Sequence, residues 1–96
     1  TLSKTGFQDY LSRDAEYRLN DAGYNLLEEN KNSEAIKVFK LNVELYPESS
    51  NVYDSLGEAY MKNGDKELSI KNYEMSLKLD PSNEYAKEMI MKMKEH

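Results

Sequence analysis

The chain has 96 residues, 39% apolar and 32% charged, with 18 Asp and Glu against 13 Lys and Arg for a net charge of −5. A length of this kind makes one domain near the lower limit for a self-sufficient core. The acidic balance argues against nucleic acid and anionic membrane as partners, since both need clustered cations. No apolar run approaches the roughly 20 residues that span a bilayer, so membrane insertion is not expected. The absence of Cys excludes disulfide and thiol chemistry. The chain starts at Thr1 rather than Met and shows no leader pattern, which suggests a fragment or a chain trimmed in processing.

In chain order, Phe7, Tyr10 and Leu11 have helical spacing beside Gly6, which predicts a short leading helix or an extension of the next one. Residues 12–29 carry Leu19, Ala22, Gly23 and Leu26 on one helical stripe, with Ser12 as N-cap and Asp14 and Glu16 in the first turn. The polar cluster Asn30-Lys31-Asn32 breaks that pattern. A second helix is expected from Ser33, as its cap, to about Leu45, and Pro47 stops it. A third, capped by Ser49 or Ser50, carries Tyr53, Leu56, Gly57 and Tyr60. It ends at Asn63-Gly64-Asp65, where Gly64 suits a left-handed cap. The fourth runs from about Lys66 to Leu79 with Ile70, Tyr73 and Leu77, and Pro81 closes it. Ser82 or Asn83 then caps a last helix with Tyr85, Met89, Ile90 and Met93 on one side and Glu84, Lys87, Glu88 and Lys92 on the other.

Much of this repeats at a fixed offset. Pro47 and Pro81 stand 34 positions apart, and Gly23 pairs with Gly57, Ile36 with Ile70, Phe39 with Tyr73 and Leu45 with Leu79. Such a period predicts an all-α array of antiparallel helical hairpins, each too small to bury its own apolar face, with a C-terminal capping helix. The expected units are an N-terminal extension or leading helix (1–15), repeat one (16–49), repeat two (50–83) and a capping helix (84–96). Gly23 and Gly57 let the second helix of each hairpin approach closely, and Phe39 and Tyr73 fill the space between paired helices.

These residues resemble the tetratricopeptide repeat. Repeat two supplies Tyr53, Leu56, Gly57 and Tyr60, then Ser69, Tyr73, Ser76 and Pro81; repeat one supplies Leu19, Ala22, Gly23 and Leu26, then Ala35, Phe39, Asn42 and Pro47. Repeat one departs from the family pattern at Ala22 and Asn42. The resemblance implies a right-handed superhelical stack whose first helices line a concave groove. Carried over position by position, the groove candidates are Tyr17, Asn20, Tyr24, Leu27 and Glu28, then Asn51, Asp54, Glu58, Met61 and Lys62, then Tyr85 and Glu88. Aromatic and acidic residues in that arrangement suit an extended or helical peptide with apolar and basic groups; the alternative is an unliganded groove whose tyrosines cover core edges. Family members that bind chaperone C-termini use Lys, Asn and Arg as a carboxylate clamp. Here the corresponding positions hold Asn20, Tyr24, Ser55, Tyr85 and Met89, so an acidic C-terminal peptide would find no counter-charge. A narrower likeness covers Asn42 to Asp80, which resembles the C-terminal repeat module of certain bacterial serine hydrolases of beta-lactamase or esterase type.

Catalytic chemistry is poorly provided for. The single His is His96, the last residue, where fraying or a tag is the ordinary reading. Without Cys or paired His there is no zinc site of ordinary composition. Adjacent Glu28 and Glu29 cannot face each other on a helix, the Asn63-Gly64-Asp65 turn lacks a calcium-loop ligand series, and neither a nucleophile elbow nor a phosphate-cradling loop occurs. No cofactor is expected. Val38, Leu41 and Leu45 form a second apolar stripe pointing away from Phe39, and Met75 repeats Leu41 one period on. Either Phe7, Tyr10 and Leu11 fold over this stripe, or it docks a parent domain or a second copy. The expected function is a non-catalytic protein–protein interaction module, attached C-terminally to a bacterial hydrolase. The alternative is a stand-alone adaptor that binds an apolar and basic peptide in its groove. Homodimerisation is compatible with both.

Overall fold

A computed structural model describes the backbone of residues 4–95 and the side chains of residues 14–95. Five helices follow one another: α1 (Lys4–Glu28), α2 (Asn32–Leu45), α3 (Ser50–Lys62), α4 (Lys66–Leu79) and α5 (Glu84–Lys94). No strand occurs among the described residues. Each helix packs on the next, as α1 on α2, α2 on α3, α3 on α4 and α4 on α5, with a smaller contact from α1 to α3. This is the helical-hairpin array that the period requires.

The two hairpin turns are built identically from different residues. After α3, the Asp65 N–H donates to the Tyr60 carbonyl at 2.9 Å and the Gly64 N–H to the Met61 carbonyl at 3.1 Å, with Gly64 at φ 87°. After α1, the Lys31 N–H donates to the Leu26 carbonyl at 2.8 Å and the Asn30 N–H to the Leu27 carbonyl at 3.0 Å, with Asn30 at φ 62°. Both are the Schellman pattern, in which one left-handed residue lets the chain satisfy the last helical carbonyls and reverse. Asn, whose short side chain tolerates that conformation, replaces Gly in the first hairpin.

The helix starts differ from expectation. Ser12 lies inside α1, because the leading segment is the extension of that helix and nothing between Lys4 and Glu28 interrupts it. Lys31 rather than Ser33 occupies the N-cap of α2 and gives no side-chain cap. Ser49 sits at the N-cap of α3, but its hydroxyl donates to the Glu16 carboxylate at 3.0 Å instead of serving the helix. Asn83 does cap α5: its Oδ1 accepts from the Ala86 N–H at 3.1 Å. Its amide also donates to Asp54 Oδ2 at 2.8 Å and Ser76 Oγ at 3.0 Å, so one residue ties α3, α4 and α5 together.

Two apolar clusters carry the stack. Leu27 of α1, Ala35, Ile36 and Phe39 of α2, and Leu56, Ala59 and Tyr60 of α3 form the first. Tyr73 of α4 with Ala86, Ile90 and Met93 of α5 forms the second, flanked by Met61, Ile70, Leu77 and Met89. Burying a large apolar side chain contributes about 1.5–3 kcal/mol, so Phe39 and Tyr73, the two largest fully buried residues, anchor their hairpins. Close approach at each depends on glycine. A Cβ built on Gly23 would overlap the Phe39 ring, and one on Gly57 would stand 3.0 Å from Tyr73 Cδ2 and Cε2. The buried small residues lock helices by polar contacts: Ser69 Oγ donates to the Gly57 carbonyl at 2.6 Å, and Asn42 Nδ2 to the Glu16 carbonyl at 3.1 Å.

Ala22 is exposed although its counterpart Leu56 is buried. Leu56 faces the first hairpin; among the described residues no earlier hairpin lies against α1.

Candidate functional site

Five of the twelve groove candidates come together around one cavity. Tyr24 of α1, Asn51, Asp54 and Glu58 of α3, and Tyr85 of α5 line a hollow of about 200 Å³, and Tyr73 of α4 closes it from within. The helical period places them. Asn51, Asp54 and Glu58 are spaced i, i+3, i+7, which puts all three on one side of α3. Packing of α1 and α5 on either flank then brings a tyrosine to each wall.

The side chains form a connected polar cluster. The Tyr85 hydroxyl donates to Glu58 Oε1 at 3.2 Å. Asp54 Oδ2 accepts from Asn83, while Asp54 Oδ1 is buried without a partner. Tyr73 is only 1% exposed, and its hydroxyl, too, is buried without a partner. The Tyr73 and Tyr85 rings are tilted at 43° with centroids 6.1 Å apart. Burial pushes the Tyr24 hydroxyl up to about 12, with the Glu58 charge adding to it. Burial also lifts Tyr73 far above the ordinary tyrosine range, helped by Tyr85 and Glu58. Tyr85 is raised by burial first and by Glu58 next. All three phenols are therefore neutral at physiological pH. The cavity offers two carboxylates, three neutral hydroxyls and one amide, and no Lys or Arg lines it.

The remaining candidates lie elsewhere. Leu27 is 3% exposed in the first core cluster and cannot line a groove. It stands four residues after Gly23, on the face that α1 turns to α2, and Met61 repeats this four residues after Gly57. Met61 is half-buried and opens instead onto a second, mostly apolar hollow with Gly64, Lys66, Met89, Lys92 and Met93. Asn20 is half-buried, its Oδ1 accepting from Ser55 Oγ at 2.5 Å. Tyr17 is 65% exposed, and Glu28 and Lys62 are exposed near the hairpin ends. Glu88 borders a shallow depression with Glu84, Lys87 and Met91. Tyr73 was not among the groove candidates, since its ring fills the hairpin. The available signal was the hydroxyl that distinguishes it from Phe39 one period earlier.

On the second helices, Leu41, Leu45 and Met75 are exposed and Val38 is half-buried; Leu68 and Leu79 of α4 are exposed as well. The side chains of Phe7, Tyr10 and Leu11, one of the two alternatives for covering this stripe, lie outside the described residues, as does His96.

Residues 50–83 match the family model of the tetratricopeptide repeat. The matched stretch spans α3, α4 and the turn that leads to α5, within an all-α hairpin array. Repeats of this kind are protein–protein interaction modules. No curated protein matches the chain.

Proposed function

We propose that the domain is a non-catalytic interaction module that binds a peptide with apolar and basic groups across the face formed by α1, α3 and α5. The observation that carries this reading is the cavity lined by Tyr24, Asp54, Glu58, Tyr73 and Tyr85. Rigid aromatic walls supply contact area at low entropic cost, and the carboxylates favour positive partners and disfavour acidic ones. Asn51 lines the same cavity, and Tyr17, Asn20, Leu27, Glu28, Met61, Lys62 and Glu88, the other groove candidates, lie outside it. Selection from a random peptide library on the immobilised domain tests it. Enriched sequences should combine large apolar residues with Lys or Arg, and Glu58→Lys should abolish their binding. Enrichment of acidic peptides, or binding indifferent to Glu58→Lys, would refute it.

The stretch Asn42 to Asp80 supports a narrower reading, in which the module is the C-terminal accessory domain of a bacterial hydrolase of beta-lactamase or esterase type. Sequencing the coding region upstream of Thr1 decides it: a Ser-x-x-Lys or Gly-x-Ser-x-Gly domain upholds the link, and a start codon close by removes it. The exposed Leu41, Leu45 and Met75 support docking through the second helices, with a second copy as the simplest occupant. Light scattering of the purified chain would then give a dimer, and Leu41→Lys a monomer of unchanged helicity. A wild-type monomer sinks the homodimer.

A further inference from the structure

We infer that two copies of the chain pair about a two-fold axis that sets α2 of each copy on α4 of the other. This rests on the homodimer reading and adds which surfaces meet and what selects them. Leu41 and Leu45 of α2, with Leu68, Met75 and Leu79 of α4, are large apolar residues exposed on the second helices. Glu34, Lys37, Leu41, Glu44 and Leu45 share one side of α2, because each stands three, four or seven residues from Leu41. Leu68, Lys71, Met75, Lys78 and Leu79 hold the same places on α4, 34 residues on, and all ten are exposed. The two stripes therefore lie on the same side of the array, each an apolar line edged by charge.

The charges decide how the stripes pair. The α2 stripe carries Glu34 and Glu44 against Lys37, and is acidic. On α4, Leu68 replaces Glu34 and Lys78 replaces Glu44, so that stripe carries Lys71 and Lys78 and no acid. None of these five charged groups is in an ion pair among the described residues. A two-fold axis that sets like helix on like presses Lys71 and Lys78 against their own copies. An axis that sets α2 on α4 brings them to Glu34 and Glu44 instead, and symmetry makes that contact twice. The apolar lines then meet at the centre, with the charged groups at the rim. Five side chains near half exposure put a few hundred Å² of apolar surface on this side. Stable interfaces bury about 800 Å² per partner, so the dimer is a weak one, with a Kd of about 10–100 μM.

The test is sedimentation equilibrium of the full chain up to about 1 mM, with circular dichroism reporting helicity. Raising sodium chloride from about 50 to 500 mM should weaken the wild-type dimer about threefold, since salt screens the rim contacts. Reversing the α2 charges (Glu34→Lys with Glu44→Lys) should weaken it about tenfold, and so should reversing those of α4 (Lys71→Glu with Lys78→Glu). All four reversals in one chain should restore the dimer, because α2 and α4 then attract again with exchanged signs. Pairing of like helices predicts the opposite: salt tightens the wild type, and the fourfold reversal stays monomeric. That result would keep the homodimer and overturn the pairing of α2 with α4, as would a dimer indifferent to salt. The salt series needs no variant, so it decides the matter even where a reversal costs helicity. A wild type monomeric at every concentration would overturn both readings and leave the stripes to Phe7, Tyr10 and Leu11 or to a foreign partner.

Discussion

Gly23→Ala adds one methyl group to α1 where the Phe39 ring rests. Placed on the existing backbone, that methyl overlaps Cε1, Cζ and Cδ1 of the ring. Phe39 is fully buried and held edge-on by Tyr24, with centroids 5.2 Å apart and planes at 67°. The ring has no space to retreat into, so α1 and α2 must part. Overpacking a dense core costs about 1–3 kcal/mol, while Ala gains about 1 kcal/mol over Gly inside a helix. Overlap with several ring atoms puts the cost at the upper end, and the net loss is about 1–2 kcal/mol. At Gly57 the same methyl stands 3.0 Å from the Tyr73 ring, a contact relieved by a shift of a few tenths of an ångström. There the two terms nearly cancel, and Gly57→Ala stays within about 0.5 kcal/mol of the parent. In a domain this small, 1 kcal/mol moves the melting temperature by about 4–8 °C. Thermal unfolding followed by circular dichroism should therefore show Gly23→Ala melting roughly 5–15 °C lower and Gly57→Ala nearly unchanged. A Gly23→Ala variant as stable as the parent, or a Gly57→Ala variant that is the worse of the two, would refute the close-approach argument.

Asn83→Ala removes the α5 cap and both links to Asp54 and Ser76. It should cost about 1–2 kcal/mol in urea unfolding, and Asn83→Asp, which keeps only the cap, should recover part of that. Asn42→Ala should cost less than about 1.5 kcal/mol despite complete burial, because it removes an unpartnered Oδ1 along with one hydrogen bond; a loss above about 3 kcal/mol would show that Oδ1 has a partner. Alkaline titration probes the tyrosines. Tyr24 is neutral when protonated and titrates at about 12 when folded, against about 10 in the unfolded chain. The unfolded state releases its proton first, so stability is intact below pH 10 and falls as pH rises toward 12. Denaturant midpoints that stay flat over that window would contradict the burial of the hydroxyl.

The array was legible because its signals are periodic and redundant: the paired Gly23 and Gly57, Phe39 and Tyr73, and Pro47 and Pro81 agree with one another and with the turn chemistry at Gly64. Helix starts were less legible, because they depend on competition for a single side chain. Ser49 looks like a cap in sequence, yet the Glu16 carboxylate from another helix takes its hydroxyl. Ser12 looks like a start, but α1 runs through it from Lys4, Gly6 included. At the candidate site, the family resemblance pointed to Asn51, Asp54 and Glu58, which fall on one side of α3, whereas Leu27, four residues after Gly23, turns to α2 and is buried. Tyr73 shows the harder limit. One residue serves as core through its ring and as cavity wall through its hydroxyl, and a helical stripe records only the first.

Tyr85 has a further consequence through the element that carries it. The cavity floor, Asp54 and Tyr73, belongs to α3 and α4, but the Tyr85 wall belongs to α5, an 11-residue helix that packs chiefly on α4. A short helix with one main packing neighbour opens locally at a lower free energy than helices packed on both sides. Each opening of α5 removes the Tyr85 wall from the proposed recognition surface. Whatever binds there is coupled to that equilibrium and must slow amide exchange in α5 more than in α1 or α2. Helix α5 then becomes the gauge on which occupancy can be read.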